Sequence, residues 1–386
     1  MKKKICIVVN SRANYARIKT LLYKIKKSKK LKLQLILGAS ATLTRFGDIE
    51  NIISKDGFKI TRKLYSIIEG EILETLAKST GLGIIELSTI FSQIKPDFVM
   101  VIADRFENMS IAVTSSYMNI PCIHTQGGEI TGSIDESIRH AITKLSHIHF
   151  PSTLKAFKNI IKMGENPKNV HLTGCPSVDI AKAALKLNSK INFNKKYFGI
   201  GCEIDFKKPY IVVLYHPVTT EYSLKSKNIK KIIEAVSKIN LQTVWLWPNI
   251  DAGANQISKT LRIYRESNKI NNIRFFKNFE PFDYLMLLKN CKCLVGNSSS
   301  AIREGSFLGI PSVNIGNRQS GREHGKNLIT VKDNIESIFR AIQIQITKKK
   351  YKSEKIFGDG KSAEKMIKII ENLNKNFDIK KKLFYE

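Results

Sequence analysis

The stretch from His124 to Glu136 reads His-Thr-Gln126-Gly127-Gly128-Glu129-Ile-Thr-Gly132-Ser133-Ile134-Asp135-Glu136. Glycines allow a tight loop here, and carboxylates set on such a loop suit proton transfer. Ser133 and Glu136, three apart, also fit a capping box. Ile134, Ile138, Ala141, Ile142 and Leu145 then recur at helical spacing and are expected to be the buried stripe of the helix. Asp135 and Arg139 lie four apart, on one helix face. Capping accounts for Ser133 and Glu136. It leaves Glu129, Asp135 and a nearby histidine for chemistry.

Four other segments carry candidate groups. Asn10-Ser11-Arg12-Ala13-Asn14-Tyr15 follows an apolar run. An arginine beside a small residue at a strand-to-helix turn can hold a phosphate, although Ser11 or Asn14 can equally cap the helix. Ala103-Asp104-Arg105-Phe106-Glu107 follows a run ending at Ile102. A carboxylate and a guanidinium at a strand's C-terminal end suit a ligand cleft, or a local ion pair. Tyr215-His216-Pro217 offers a strand-end histidine, either structural or an acid/base group. Gly296-Asn297-Ser298-Ser299-Ser300-Ala301-Ile302-Arg303-Glu304 combines hydroxyls with a helix start, a setting that binds phosphate. There Ser298 could be an N-cap only, and Glu304 could accept hydrogen bonds from a ribose. Gly316 to Glu323 adds Arg318 and Arg322 after the next strand.

These groups need elements to hold them. Short apolar runs predict strands at Ile5–Val9, Leu33–Leu37, Phe98–Ile102, Pro121–His124 and His147–Phe150. A second series covers Tyr210–Tyr215, Thr243–Trp247, Ile273–Phe276, Cys293–Val295, Ser312–Ile315 and Leu328–Val331. Continuous apolar strands are buried on both faces. Helical patterns fall between them, as at Ala16–Lys27, Ile84–Gln93, Ile134–Leu145 and Ile229–Lys238. This alternation predicts an α/β fold of two Rossmann-like, doubly wound domains facing a cleft. Residues 1–185 are expected to form the first domain, with the acid/base groups. Residues 186–208, rich in Lys and Asn, read as a linker, and 209–360 as the nucleotide-binding domain. Residues 361–386 read as a helix packing back on the first domain. Gly81-Leu82-Gly83 follows no strand and lacks a third glycine, so it is no dinucleotide fingerprint. No phosphate-binding G-x-x-x-x-G-K-[ST] loop occurs.

The 386 residues suit two domains, and 42% hydrophobic with 25% charged residues exclude a disordered, collagenous or coiled-coil chain. Lys and Arg number 64 against 33 Asp and Glu, a net charge of +31. That excess raises nucleic-acid binding as a reading. The lysines are spread along the whole chain, with clumps such as Lys348–Lys350 and Lys380–Lys382, and few aromatics interleave with them. A solvated lysine surface fits this better than a base-stacking face. No apolar run approaches the ~20 residues of a membrane helix. The N-terminal run Ile5–Val9 is too short for a signal peptide, so a cytoplasmic protein is expected. Six cysteines are scattered, and Cys291-Lys292-Cys293 lacks metal-knuckle spacing, so reduced buried thiols and no metal are expected.

At these residues the chain resembles the hydrolysing UDP-N-acetylglucosamine 2-epimerases, which share a fold with GT-B glycosyltransferases. The resemblance covers about residues 4 to 335. It rests on Ser11-Arg12-Ala13-x-Tyr15, Asp104-Arg105, Gly127-Gly128-Glu129 through Asp135, Arg139 to Lys144, Gly174-Cys175-Pro176-Ser177, and Gly296 to Ser299 with Arg303-Glu304. It implies a reaction without a cofactor. The C2 proton is abstracted, the nucleotide leaves and a 2-acetamidoglucal forms; water then adds at C1 and C2 is reprotonated on the other face. By this resemblance Asp104 and Asp135 are acid/base carboxylates, and His216 assists near the diphosphate. Arg12, Ser298 and Ser299 hold phosphate, and Glu304 holds the ribose. Arg105, Arg139 and Arg318 are expected to contact substrate. Gln126 stands where many relatives carry Glu. An amide cannot take a proton, which shifts the base role toward Glu129 or Asp104. Asn14 replaces a common Asp, and Ala41 a common His. The departures suggest a variant sugar such as nucleotide-linked N,N′-diacetylbacillosamine, alongside UDP-GlcNAc itself. The expected partners are the nucleotide sugar and further copies of the chain, as a homodimer or homotetramer, with no nucleic acid and no membrane. A GT-B glycosyltransferase would explain the serine-rich helix start but not the acids from Glu129 to Glu136.

Overall fold

The computed structural model describes residues 1–44, 47–70, 72–187, 191–218, 225–248, 254–267, 272–379 and 385. The chain divides into two compact units. One comprises Met1–Ile130, Ile134–Asp179 and Phe357–Glu386, and the other Thr131–Ser133 and Ile180–Ile356.

The first unit is built on β1 (Lys3–Val9), β2 (Leu31–Gly38), β3 (Ile60–Leu64), β4 (Phe98–Ile102), β5 (Cys122–Thr125) and β6 (Ile148–Phe150). They pair in the order β3-β2-β1-β4-β5-β6, all parallel. The pleat explains the unbroken apolar run of β1. Ile5, Ile7 and Val9 join the core on one face, while Cys6 and Val8 join the core on the other. Each such side chain contributes about 1.5–3 kcal/mol when fully buried. The helix Arg12–Lys27 closes the first face with Tyr15, Ile18, Leu21, Leu22 and Ile25. Ala363, Met366, Ile367 and Ile370 of the helix Ser362–Asn372 complete it. Lys3 ties that helix down, its Nζ donating to the carbonyls of Ile370 at 3.0 Å and Glu371 at 2.9 Å. The helix stops at Asn372, well short of the expected end, because Leu373 leaves helical backbone. Lys380–Lys382 lie outside the described residues.

The second unit carries β7 (Gly199–Gly201), β8 (Tyr210–Leu214), β9 (Gln242–Leu246), β10 (Ile273–Phe276), β11 (Cys293–Gly296), β12 (Ser312–Ile315) and β13 (Leu328–Val331). Their order is β13-β12-β11-β8-β9-β10-β7. All neighbours run parallel except β7, which is antiparallel to β10. The stretch read as a linker therefore supplies an edge strand and a short helix, Phe193–Lys196. Helices pack on the sheet through Ile229, Ile232, Ile233 and Val236 on one side of its core, and Ile338, Ala341 and Ile342 close to them. Among the described residues no helix is long and apolar enough to cross a membrane.

Candidate active site

In each sheet the strand order reverses once, between β1 and β4 in the first unit and between β8 and β11 in the second. Open α/β sheets bind ligands outside the strand C-termini at such a switch point. Candidate residues follow the C-terminal ends of the strands at these points or of their neighbours. Arg12 follows β1, Asp104 and Arg105 follow β4, and Gln126 and Glu129 follow β5. His216 follows β8, and Ser298, Ser299 and Glu304 follow β11.

In the first unit, Asp104 pairs with a residue distant in sequence. Its Oδ2 accepts from Arg139 Nε at 2.9 Å and from Arg139 Nη2. Arg105 Nε pairs with Glu107 Oε1 at 2.8 Å, and its guanidinium lies over the Phe106 ring. Arg139 is 1% exposed, and its Nη1 donates to the Glu129 carbonyl. Burial opposes a charge there. The carboxylates of Asp104, Glu129 and Asp135 outweigh it and hold the guanidinium pKa above its ordinary value. Three sequence-predicted acids thus converge on one arginine. A buried arginine shared by carboxylates is what a site needs to handle protons and negative charge in a low dielectric.

The helix Asp135–Leu145 places Arg139 differently from the amphipathic reading. Its N-cap is Ile134, one residue later than the Ser133 position expected from the sequence. Ile134 is half exposed rather than part of the buried stripe. Ile142 is buried, Ile138 and Leu145 are partly so, and Arg139 and Thr143 share the buried face. The helix turns a polar edge inward because polar partners await it.

The turn after β1 is tied to the turn after β4 by asparagines. Asn10 N–H donates to Asn14 Oδ1 at 3.2 Å, and Asn10 Nδ2 to Asn108 Oδ1 at 3.0 Å. Asn108 Nδ2 donates to the Ile102 carbonyl at 2.6 Å. Ser11 caps the helix through its Oγ, which accepts from Asn14 N–H at 3.1 Å, so Arg12 occupies its first residue. Asn14 acts through a carbonyl oxygen that Asp would also present, so this departure leaves the local geometry intact. Ala41 is buried, and its N–H donates to the Asn10 carbonyl at 3.2 Å.

Gln126 is 1% exposed with φ +63°, and among the described residues neither its amide oxygen nor its nitrogen has a hydrogen-bond partner. A buried amide left so costs several kcal/mol by transfer measures. His124, the histidine beside this loop that the sequence set aside for chemistry, is fully buried. Its ring nitrogens lie 2.9 Å from the Ala103 carbonyl and 3.1 Å from Thr143 Oγ1.

In the second unit, Asn297 grips the His216 backbone from both sides. Its Oδ1 accepts from His216 N–H at 2.8 Å, and its Nδ2 donates to the His216 carbonyl at 2.8 Å. Gly296 has φ +139°, and a Cβ there would stand 2.0 Å from the Leu214 carbonyl, so only glycine lets the two strand ends meet. Arg318 Nη1 and Gln319 Nε2 both donate to the Asn297 carbonyl, at 3.2 and 2.8 Å. Arg322 Nη1 donates to Gln319 Oε1 at 2.7 Å. Ser298 caps a 3₁₀ turn, its Oγ accepting from Ser300 N–H at 3.3 Å. Glu304 and Arg303 are buried in the short helix Arg303–Leu308, and Glu304 Oε2 has no partner among the described residues. Among the described residues no group of three or more His, Cys, Asp or Glu is placed to hold a metal ion.

Known proteins share this architecture. A curated UDP-N-acetylglucosamine 2-epimerase of Neisseria meningitidis is 32% identical over 96% of each chain. A GDP/UDP-N,N′-diacetylbacillosamine 2-epimerase (hydrolysing) of Campylobacter jejuni is 35% identical over 85% of this chain and 84% of its own. The crystal structure of the Methanocaldococcus jannaschii UDP-GlcNAc 2-epimerase in complex with UDP-GlcNAc and UDP superposes with a TM-score of 0.76 at 21% identity, over 95% and 99% of the two chains. That likeness establishes the GT-B-like α/β fold of two doubly wound units. The sequence model of UDP-N-acetylglucosamine 2-epimerases matches residues 23–371. With most of its length so matched, the chain belongs to the UDP-N-acetylglucosamine 2-epimerase family.

Proposed function

We propose that the protein is a hydrolysing 2-epimerase of a nucleotide-diphospho 2-acetamido sugar. Its substrate is UDP-GlcNAc, giving N-acetylmannosamine and UDP, or UDP- or GDP-linked N,N′-diacetylbacillosamine, giving 2,4-diacetamido-2,4,6-trideoxymannose and the nucleotide. The free manno-configured sugar would feed sialic or legionaminic acid synthesis. The observation that carries this reading is the convergence of Asp104, Glu129 and Asp135 on the buried Arg139.

The reaction removes a proton from C2 and breaks the C1–O bond to the nucleotide, forming a 2-acetamidoglucal. Water then adds its hydroxyl to C1, and a proton returns to C2 on the opposite face. C2 is weakly acidic, so the base must be an ionised carboxylate. Asp104, Glu129 and Asp135 supply candidates, and Gln126 cannot serve as one. Two acids of different surroundings can deprotonate one face and protonate the other. Arg12, Ser299 and Arg318 take the diphosphate in this reading, and the buried Glu304 oxygen takes a ribose hydroxyl. His216, fixed by Asn297, assists the departing phosphate.

The test is product analysis by NMR. The enzyme is incubated with UDP-GlcNAc and, separately, with UDP- and GDP-diacetylbacillosamine, in deuterated water. Free nucleotide and a C2-deuterated manno-sugar are expected without any acceptor. A requirement for an acceptor would instead indicate a glycosyltransferase.

A further inference from the structure

We propose that His124 is a positioning residue: a neutral imidazole with its proton on Nε2, it clamps the Ala103 carbonyl and so sets the Asp104 carboxylate. The proposal rests on the reading of Asp104 as an acid/base group.

Ala103 is the first residue past β4, and its φ is +63°. That left-handed backbone costs a Cβ-bearing residue about 1–2 kcal/mol, so its surroundings must hold it. Its N–H donates to the Thr125 carbonyl at 3.1 Å, and its own carbonyl lies 2.9 Å from His124 Nε2. A carbonyl can only accept. The hydrogen bond therefore fixes the proton on Nε2, and in a neutral ring Nδ1 becomes an acceptor. Thr143 Oγ1 stands 3.1 Å from that nitrogen and also 3.0 Å from the Arg139 carbonyl. Arg139 then reaches across to Asp104 Oδ2.

The ring thus holds the backbone entering Asp104 through the Ala103 carbonyl. On its other side the Thr143 hydroxyl has one proton, which serves either His124 Nδ1 or the Arg139 carbonyl at a time. The ring cannot drift: it is fully buried, and a Cβ on Gly127 would stand 2.8 Å from Nδ1. Burial also keeps the ring uncharged, pushing its pKa down to about 3. A charged ring would carry a proton on Nδ1, which the neutral arrangement uses as an acceptor.

The test uses the full-length protein. In ¹⁵N-histidine NMR, wild type should show a ring with the Nε2–H tautomer pattern, unchanged between about pH 5.5 and 8. His124→Phe removes the donor, and His124→Gln restores an N–H of similar reach. His124→Phe should lower kcat for nucleotide release about a hundredfold, as a misplacement of about 1 Å does. KM should stay within about twofold. His124→Gln should recover at least about tenfold of the loss. A His124 ring that titrates in this range, or carries its proton on Nδ1, overturns the proposal. So does a folded His124→Phe enzyme with wild-type kcat. If His124→Phe does not fold, the wild-type spectrum decides. If wild type releases no nucleotide from any of the sugars, the epimerase reading fails, and the spectrum still decides the clamp.

Discussion

Arg139 and Asp104, 35 residues apart in sequence, are paired: Asp104 Oδ2 accepts from Arg139 Nε at 2.9 Å and from Nη2. The side chains differ in exposure, 1% for Arg139 and 12% for Asp104. The carboxylate therefore stands at the edge of the buried region, with the guanidinium behind it.

Asp104→Asn should lower kcat by at least about a hundredfold as the loss of an acid/base group. It also leaves a buried guanidinium with one carboxylate fewer, so stability should fall by about 3 kcal/mol. Urea denaturation measures the second effect and product NMR the first. A variant as stable and as active as wild type would remove Asp104 from the centre of the site.

Asp135 opens its helix, and its charge helps to raise the Arg139 pKa. Asp135→Asn keeps the shape and removes the proton acceptor. Turnover should fall about a hundredfold or more, with the dissociation constant for UDP or GDP by calorimetry nearly unchanged. Near-normal turnover would exclude Asp135 from proton transfer.

How much of this was legible in the sequence depends on how each element is buried. Phe98–Ile102, Ile273–Phe276, Ser312–Ile315 and Leu328–Val331 appear with the expected bounds, because apolar runs between turns define them. β3 and β7 were not anticipated. They are edge strands, where Arg62 and Lys63 or two glycines can stand, so periodicity is lost. In the site, residue types at strand ends marked Asp104, Glu129 and His216. Their partners could not be read. The Arg139–Asp104 pair and the Asn10–Asn108 bond both join positions distant in sequence. Helical spacing set Arg139 beside Asp135, whose charge does act on it, but its bonds to Asp104 and to the Glu129 carbonyl come from tertiary geometry.

Acid should destabilise the first unit through His124. The folded pKa is about 3 against an ordinary 6.5. Below 6.5 the unfolded chain takes up a proton that the folded chain refuses, so stability falls as pH drops from about 6.5 toward 3. Burial is the main cause. Its neighbours His149 and Arg139 deepen the shift, while the Ala103 carbonyl and Asp104 oppose it. From pH 7 to 5 the loss is about 2 kcal/mol from this ring. Denaturation midpoints for wild type and His124→Gln across that range check it. Parallel pH slopes for the two would show that His124 does not contribute.

The paired serines should separate. Ser298 Oγ caps the turn by accepting from Ser300 N–H. Ser298→Ala should therefore cost about 1 kcal/mol of stability. Ser299→Ala should weaken UDP or GDP binding instead, by the ~1.5–3 kcal/mol of a hydroxyl bonded to a charged phosphate. Calorimetry and thermal melts on the two single variants distinguish the roles. Unchanged affinity in Ser299→Ala would move the phosphate site away from this turn.

Gln126 presents the sharpest conflict between stability and function. Its amide is buried, its backbone is left-handed, and neither polar atom has a partner among the described residues. The free protein would be more stable without that amide, since an unsatisfied buried polar group costs about 1–3 kcal/mol. Gln126→Leu keeps a Cβ and similar length, so the backbone strain is unchanged while the polar penalty is removed. Its unfolding free energy should rise by about 1–2 kcal/mol. A polar group kept against stability is kept for a ligand, and an amide matches an acetamido group, donor to carbonyl and acceptor to N–H. Gln126→Leu should therefore lose kcat/KM by about tenfold or more on nucleotide-linked diacetylbacillosamine, the value of one mismatched polar contact. Gln126→Glu, which replaces the amide by a carboxylate of the same shape, should shift the kcat/KM ratio toward UDP-GlcNAc by a similar factor. Melting curves and kinetics on both sugars measure these effects. If Gln126→Leu gains stability while the substrate ratio stays fixed in both variants, Gln126 does not read the sugar.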